Sequence, residues 1–157
     1  WAISALGAPV PAEAERRVTP LTRHLREVGR GVSGLRYAQA VQTAQLITRE
    51  VADRWQAYDL ILTPTLARPP MPIGGLRNDH DPVAEFAAQY AYTPWTNLAN
   101  VTGRPSISLP LHRAEVDGVT LPIGVMLTGR YGADAMIISV AAQLEQARPW
   151  PSGPRPV

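Results

Sequence analysis

Serine, histidine and paired aspartates are the residues of this chain that could act on a substrate as nucleophile, base or acid. No Gly-x-Ser-x-Gly turn presents a serine nucleophile. His24, His80 and His112 are far apart, and none has the spacing of a metal-binding pair. Asp79 and Asp81 lie close together in a loop and could form an acid–base pair, but Asp81 precedes a proline and is better interpreted as a helix cap. Taken singly, these residues indicate no catalytic centre and no metal site.

The basic residues are fifteen arginines, and there is no lysine. Lysine is the basic side chain whose pKa a protein can lower until it serves as a neutral base. Arginine stays protonated in proteins and cannot take that role. Chemistry that needs a neutral side-chain amine is therefore excluded for these 157 residues.

The composition is that of a globular protein, with 45% hydrophobic and 18% charged residues and a formal net charge of +2. A modest basic group, Arg23, Arg26, Arg30 and Arg36, is interpreted as the solvated face of a helix, so no nucleic-acid partner is predicted. The absence of cysteine excludes disulfides and thiolate metal sites, and we expect a cytoplasmic location. No apolar run approaches the length of a membrane span.

Gly29–Gly34 matches the G-x-G-x-x-G fingerprint of dinucleotide-binding proteins. That fingerprint binds a cofactor only where a strand precedes it, and here a helical segment does. The glycines are therefore predicted to end one helix and begin the next, with Ser33 as a cap, and no cofactor is predicted.

Hydrophobic periodicity predicts five helices separated by short strands, an α/β arrangement. The predicted helices run from Thr19 to about Gly31, from Ser33 to about Ala57, from Asp81 to about Tyr90, from Thr93 to just before Gly103, and from Ala133 to Gln146. The predicted strands are 59–64, 106–111 and 123–127, of which the first and third read as buried on both faces. Asp117-Gly118 predicts a turn between the last two strands.

Four segments, in this order and spacing, resemble the C-terminal end of the amidase-signature hydrolases. They are YDLILTPT at 58–65, Thr93-Pro94 followed by NVTGRPSISLP at 100–110, LPIGVML at 121–127, and AAQLE at 141–145. The resemblance covers residues from about 33 to 150. It implies a mixed β-sheet flanked by helices, of which this chain would supply only some strands.

The resemblance also implies amide hydrolysis by a serine nucleophile, a second serine in a cis peptide and a neutral lysine. In the family these residues precede the region that this chain resembles. No residue here is therefore predicted to be catalytic, and the chain alone is expected to be inactive. What the resemblance assigns is a substrate pocket wall, formed by Thr63, Pro64, Trp95 and Asn100. Trp95 would offer an aromatic face, although a core position in a short helix explains it equally well.

We therefore expect residues 1–148 to form one domain, the C-terminal segment of an amidase-like catalytic domain, followed by a Pro-rich tail at 149–157. We expect the sequence to begin part-way through a longer protein. The full-length protein would act on a small-molecule amide, releasing a carboxylate and ammonia or an amine. The alternative is a stand-alone, non-catalytic binding module derived from an amidase. Apolar strand surface left uncovered would favour self-association.

Overall fold

A computed structural model describes residues 1–150 of the chain. Its elements are α1 (Ala2–Gly7), a 3₁₀ helix (Ala12–Arg17), α2 (Pro20–Arg30), α3 (Gly34–Trp55), β1 (Leu60–Pro64), α4 (Pro82–Tyr92), α5 (Thr96–Thr102), β2 (Ser106–Val116), β3 (Val119–Gly129) and α6 (Asp134–Ala147). They form two compact units, one from Trp1–Gln45 and Met71–Tyr92, the other from Leu46–Pro70 and the chain from Thr93 onward. The single domain over residues 1–148 stays a prediction, and the predicted tail from residue 151 lies outside the described residues.

Helix α2 begins and ends as the sequence predicts. The hydroxyl of Thr19 accepts the backbone N–H of Thr22 at 3.3 Å, and Pro20 occupies the first helical position, where a missing N–H costs nothing. Gly31 caps the C-terminus. The next helix, α3, follows at once, and its Ser33 hydroxyl accepts the N–H of Arg36 at 3.2 Å. The glycine motif at 29–34 is therefore a junction between two helices, as predicted.

The prediction that Arg26 lies on a solvated helix face is wrong. Arg26 is buried, and its guanidinium donates to the backbone carbonyls of Ala5, Leu6 and Ala8 at 2.7, 3.2 and 3.0 Å. Its Nε donates to the Glu15 carboxylate at 3.0 Å. The carbonyls belong to the C-terminal end of α1, where no intrahelical donors remain, so the arginine supplies the missing hydrogen bonds. Residues 1–19 carry too weak a pattern to reveal this partner.

The Glu15 carboxylate is shared between two arginines. Arg30 also contacts it, at 2.9 Å from Nη2 to Oε1. Hydrogen bonds from Arg26 and Arg30 hold the pKa of Glu15 below its ordinary value, because they favour the charged form. The first helices of this unit are thus joined through one ionic cluster.

The long loop before α4 is fixed by that helix. The Asp81 side chain accepts the N–H of Ala84 at 2.9 Å, which confirms the predicted cap. Glu85, buried on α4, accepts the backbone N–H of Asn78 at 2.9 Å. Asp79 pairs instead with Arg77, whose hydrogen bonds lower the pKa of that aspartate. The two aspartates therefore serve the loop and do not form an acid–base pair.

The second unit is built on a three-stranded antiparallel sheet of order β1-β3-β2. The predicted α/β class is confirmed, and every strand pair within residues 1–150 is antiparallel. Asp117 and Gly118 form the hairpin turn with φ of +51° and +78°, the two positive values of a two-residue type I′ turn. Between Leu109 and His112 the register shifts, which marks a β-bulge.

The hydrophobic core of this unit lies between the sheet and α6. Leu109, Leu127 and Ala141 are buried together, and α6 packs against β2 and β3. Leu62 on the edge strand β1 is 67% exposed, although its apolar run predicts burial. The apolar stripe of α3 is likewise mostly exposed, with Val51 as its buried member.

Helix α5 starts later than the sequence predicts. It begins at Thr96, and Trp95 is its N-cap without a side-chain hydrogen bond, so the Thr93-Pro94 signal does not cap it. The Thr93 carbonyl instead accepts the Thr96 hydroxyl at 3.3 Å. The helix ends as predicted at Gly103, whose φ of +65° is the left-handed conformation that favours glycine. None of the helices described in residues 1–150 is long and apolar enough to cross a membrane.

We predict that Arg26→Ala destabilises the first unit by about 3 kcal/mol, because it removes the hydrogen bonds to three carbonyls at the end of α1 and one of the two arginine partners of Glu15. Urea denaturation followed by circular dichroism measures this. Arg54→Ala is the matched control, since Arg54 forms an exposed pair with Glu50 and its removal should cost less than about 0.5 kcal/mol. Equal losses for the two variants would contradict a structural role for Arg26.

Candidate functional site

One face of the sheet carries hydroxyl side chains, here called the hydroxyl row. Its members are Thr63, Thr65, Ser106, Ser108 and Thr128. Thr63 and Ser108 both lie opposite Met126 of β3, and Ser106 lies opposite Thr128. Residues directly opposite in an antiparallel pair share a face, so the register brings these side chains together.

Four hydroxyls of the row pair with each other. The Thr65 and Ser108 oxygens are 2.6 Å apart, and those of Ser106 and Thr128 are 2.9 Å apart. The Thr63 hydroxyl is different, because it is buried and forms no hydrogen bond with any residue in the described range 1–150. A buried hydroxyl without a hydrogen-bond partner lowers stability by about 1–3 kcal/mol. The Thr63 hydroxyl is therefore a candidate to bind a hydrogen-bonding group from outside the described residues.

Gly124 makes the tightest part of the row geometrically feasible. A Cβ at this position would lie 2.7 Å from the Thr65 hydroxyl and 2.9 Å from the Ser108 hydroxyl. The Thr65 backbone N–H donates to the Gly124 carbonyl at 3.0 Å, so the pairing of β1 with β3 continues one residue past Pro64. The missing side chain of Gly124 therefore permits a close approach of two side chains from the neighbouring strands.

The junction between α5 and β2 is fixed beside the row. The Gly129 N–H donates to the Pro105 carbonyl at 2.9 Å, and Arg104 donates to the Gly129 carbonyl at 3.3 Å. The Arg104 guanidinium also lies 5.3 Å from the ring centre of Trp55, a cation–π contact. These contacts set where β2 begins and hence where Ser106 and Ser108 fall.

The four residues predicted as pocket wall fall into two pairs. Thr63 and Pro64 end β1, with Thr63 inside the hydroxyl row. Trp95 caps α5 and is 44% exposed, and Asn100 is exposed on the same helix. No hydrogen bond links the two pairs within residues 1–150. Their shared role as pocket wall stays a prediction.

The hydroxyl row can bind but has no means to act as a nucleophile by itself. None of its oxygens hydrogen bonds to a carboxylate or a histidine in the part of the chain that the structure describes. Hydroxyls are donors and acceptors at once, and an amide presents one of each. No group of three His, Cys, Asp or Glu side chains among residues 1–150 could hold a metal ion.

Of the hydroxyl row, the sequence analysis names only Thr63 as a site residue and misses Thr65, Ser106, Ser108 and Thr128. The sequence does contain a signal for the row, because two strands each carry hydroxyl residues two positions apart, Thr63 and Thr65 at the end of one and Ser106 and Ser108 on the other. Register decides which of them meet, and register depends on the turn at Asp117-Gly118 and on the β-bulge.

Comparison with known proteins places the chain in a family. The family model described as Amidase matches residues 8–138. A putative amidase AmiC of Mycobacterium leprae is 39% identical over 117 residues, which are 73% of this chain and 24% of that protein. The 6-aminohexanoate-cyclic-dimer hydrolase of Pseudomonas sp. strain NK87 is 33% identical over 126 residues, 76% of this chain and 25% of that protein.

The solved structures agree with the sequence relatives. A structure of 6-aminohexanoate cyclic dimer hydrolase superposes with a TM-score of 0.79 at 26% identity, covering 95% of this chain and 33% of that one. The chain therefore belongs to the amidase family, the amidase-signature hydrolases, as the sequence resemblance indicates. It spans about a quarter of the length of the curated relatives it matches.

We predict that Gly124→Ala destabilises the second unit by about 2 kcal/mol, because the added methyl group must push Thr65 and Ser108 apart. Thermal denaturation measures the loss, and adding Ser108→Ala should restore part of it. Gly34→Ala is the control, since a Cβ there meets nothing within 4 Å, and its effect should stay within about 0.5 kcal/mol. A neutral Gly124→Ala would show that the close packing of the row is unimportant.

Proposed function

We propose that this chain is the C-terminal part of an amidase that hydrolyses the C–N bond of a small carboxylic amide, and that it supplies substrate-binding surface without the reacting groups. The product would be a carboxylate together with ammonia or an amine. Of the predicted pocket wall, Thr63 and Pro64 would lie against the substrate from β1, and Trp95 and Asn100 from α5. A cytoplasmic location accompanies the proposal as a prediction.

The observation that carries the proposal is a sheet face lined with hydroxyls that have no activating base. Thr63 in particular has a buried oxygen without a partner among the described residues. An amide substrate, or a group of the remaining protein, would satisfy it and recover the free energy of a stranded polar group. The chain also contains no lysine, so the neutral amine of the family's mechanism must come from elsewhere.

The proposal is tested by assaying the 157-residue chain alone and fused behind the portion of the Mycobacterium leprae relative that precedes the matched region. We predict that the chain alone releases no ammonia from benzamide or other simple carboxamides, and that the fusion does. Turnover by the purified chain, or a soluble, monodisperse fusion without turnover, would each contradict the proposal.

Thr63→Val in the fusion tests the pocket wall directly, because it removes the hydroxyl and keeps the shape. Its kcat/KM should fall about tenfold, the effect of one lost hydrogen bond in the transition state. Thr43→Val is the matched control, since Thr43 is exposed on α3 and donates only to the Gln39 carbonyl of its own helix. Equal activity in the two variants would remove Thr63 from the site.

We also propose that the isolated chain pairs with a second copy through the outer edge of β1. This strand is hydrogen bonded to β3 on one side, and no other strand within residues 1–150 pairs with it. Leu62 is 67% exposed beside that edge. Unpaired backbone groups next to apolar surface form a template for another strand.

Light scattering coupled to size-exclusion chromatography should therefore show a dimer or larger species that Leu62→Lys converts to monomer. Ile138→Lys is the control, because Ile138 is similarly exposed, at 62%, but lies on α6 and not on β1, so its substitution should leave the dimer intact. A monomeric native chain, or equal disruption by both substitutions, would contradict pairing through β1.

A further inference from the structure

The far end of the β2–β3 hairpin contains a cavity that the hydroxyl row does not share. Its volume is about 750 Å³, within the usual range for small-ligand sites. Both strands line it from the β-bulge to the turn, and Arg148, Pro149 and Trp150, which follow α6, form the rest of its wall. None of the predicted pocket-wall residues lies in it.

The polar lining of this hairpin cavity is basic. Arg113, Arg148 and His112 contribute to the wall, and no aspartate or glutamate does. The acids nearest along the hairpin lie outside the wall: Glu115 accepts the hydroxyl of the lining residue Thr120, and Asp117 forms the turn.

Neither arginine has an ion-pair partner among residues 1–150. The ion pairs found in residues 1–150 use other arginines, and neither Arg113 nor Arg148 makes a side-chain hydrogen bond there. Two guanidinium groups in a wall to which no described acidic residue contributes attract an anion. Their planar forks match a carboxylate in particular.

The remaining wall is apolar and well supported. Trp150 and Leu111 pack against the core cluster under α6, so their position is set by the fold. Pro110 and Pro122 extend the apolar surface. An indole beside two guanidinium groups suits a ligand with a flat, apolar body and a negative end, because the body covers the ring while the charge meets the arginines.

We propose that the hairpin cavity binds a small carboxylate with a flat apolar body, the chemical class of an arylcarboxylate. Arg113 and Arg148 hold the carboxylate, and Trp150 contacts the ring. This site is separate from the hydroxyl row and does not depend on amide hydrolysis, so either proposal can fail while the other stands.

Benzoate is the probe and benzamide its neutral counterpart, each titrated into the native 157-residue chain by calorimetry. Benzoate should bind, and benzamide should bind at least about tenfold more weakly, since it lacks the charge that the arginines pair with. In the NMR spectrum the indole N–H signal of Trp150, assigned with Trp150→Phe, should shift with benzoate while that of Trp95 stays in place.

Arg113→Gln and Arg148→Gln should each weaken benzoate binding about tenfold. Arg49→Gln is the matched control, because Arg49 is an exposed arginine on α3 outside the cavity, and benzoate affinity should not change. Circular dichroism confirms that each variant folds. Absent benzoate binding, equal binding of benzoate and benzamide, or equal affinity in all three variants would overturn the proposal. Inorganic phosphate binding as tightly as benzoate would overturn the part assigned to the apolar wall.

Discussion

The close approach of three strands at Gly124 is the constraint on which the candidate site depends. β3 is the central strand, so the residues of β1 and of β2 outside the β-bulge are placed by their partners on β3. At Gly124 the missing side chain leaves room for Thr65 and Ser108 to meet at 2.6 Å from opposite neighbours. Any larger residue there separates the two hydroxyls, and the row loses its continuity. A glycine normally weakens a strand, but here it allows the hydroxyls of the two outer strands to meet across β3.

The hydroxyl row and the absence of lysine together define what this part of the protein contributes. Serine and threonine hydroxyls bind amides well but attack them only when a base removes the proton. Under the proposed function the row would provide the first property, and the fifteen arginines cannot provide the second. A wall that binds without reacting is useful in an amidase, since the reacting groups can then be oriented by another part of the chain. That division agrees with a chain that spans about a quarter of its relatives.

Local signals predicted the elements well, because caps and turns act over three or four residues. Thr19, Asp81 and Asp117-Gly118 each perform the role that the sequence indicates. Burial was harder to predict, since it depends on distant partners. Arg26 looks like a surface residue until its three carbonyl partners from α1 are known. Leu62 looks like a core residue from its apolar neighbours. It is exposed because the helix that covers the sheet, α6, packs on β2 and β3.

The β-bulge has a consequence for both sites on the hairpin. Pro110 lies within it, on the outer strand β2, where a residue without an N–H breaks no ladder that the sheet needs. Before the bulge the strand presents Ser106 and Ser108 in register with β3, and beyond it the strand presents His112 and Arg113. A regular strand would continue one alternation along its whole length. The interruption lets a single hairpin carry neutral hydroxyls at one end and, at the other, Arg113, which has no ion-pair partner among residues 1–150. Two surfaces with different chemistry thus lie on the same pair of strands.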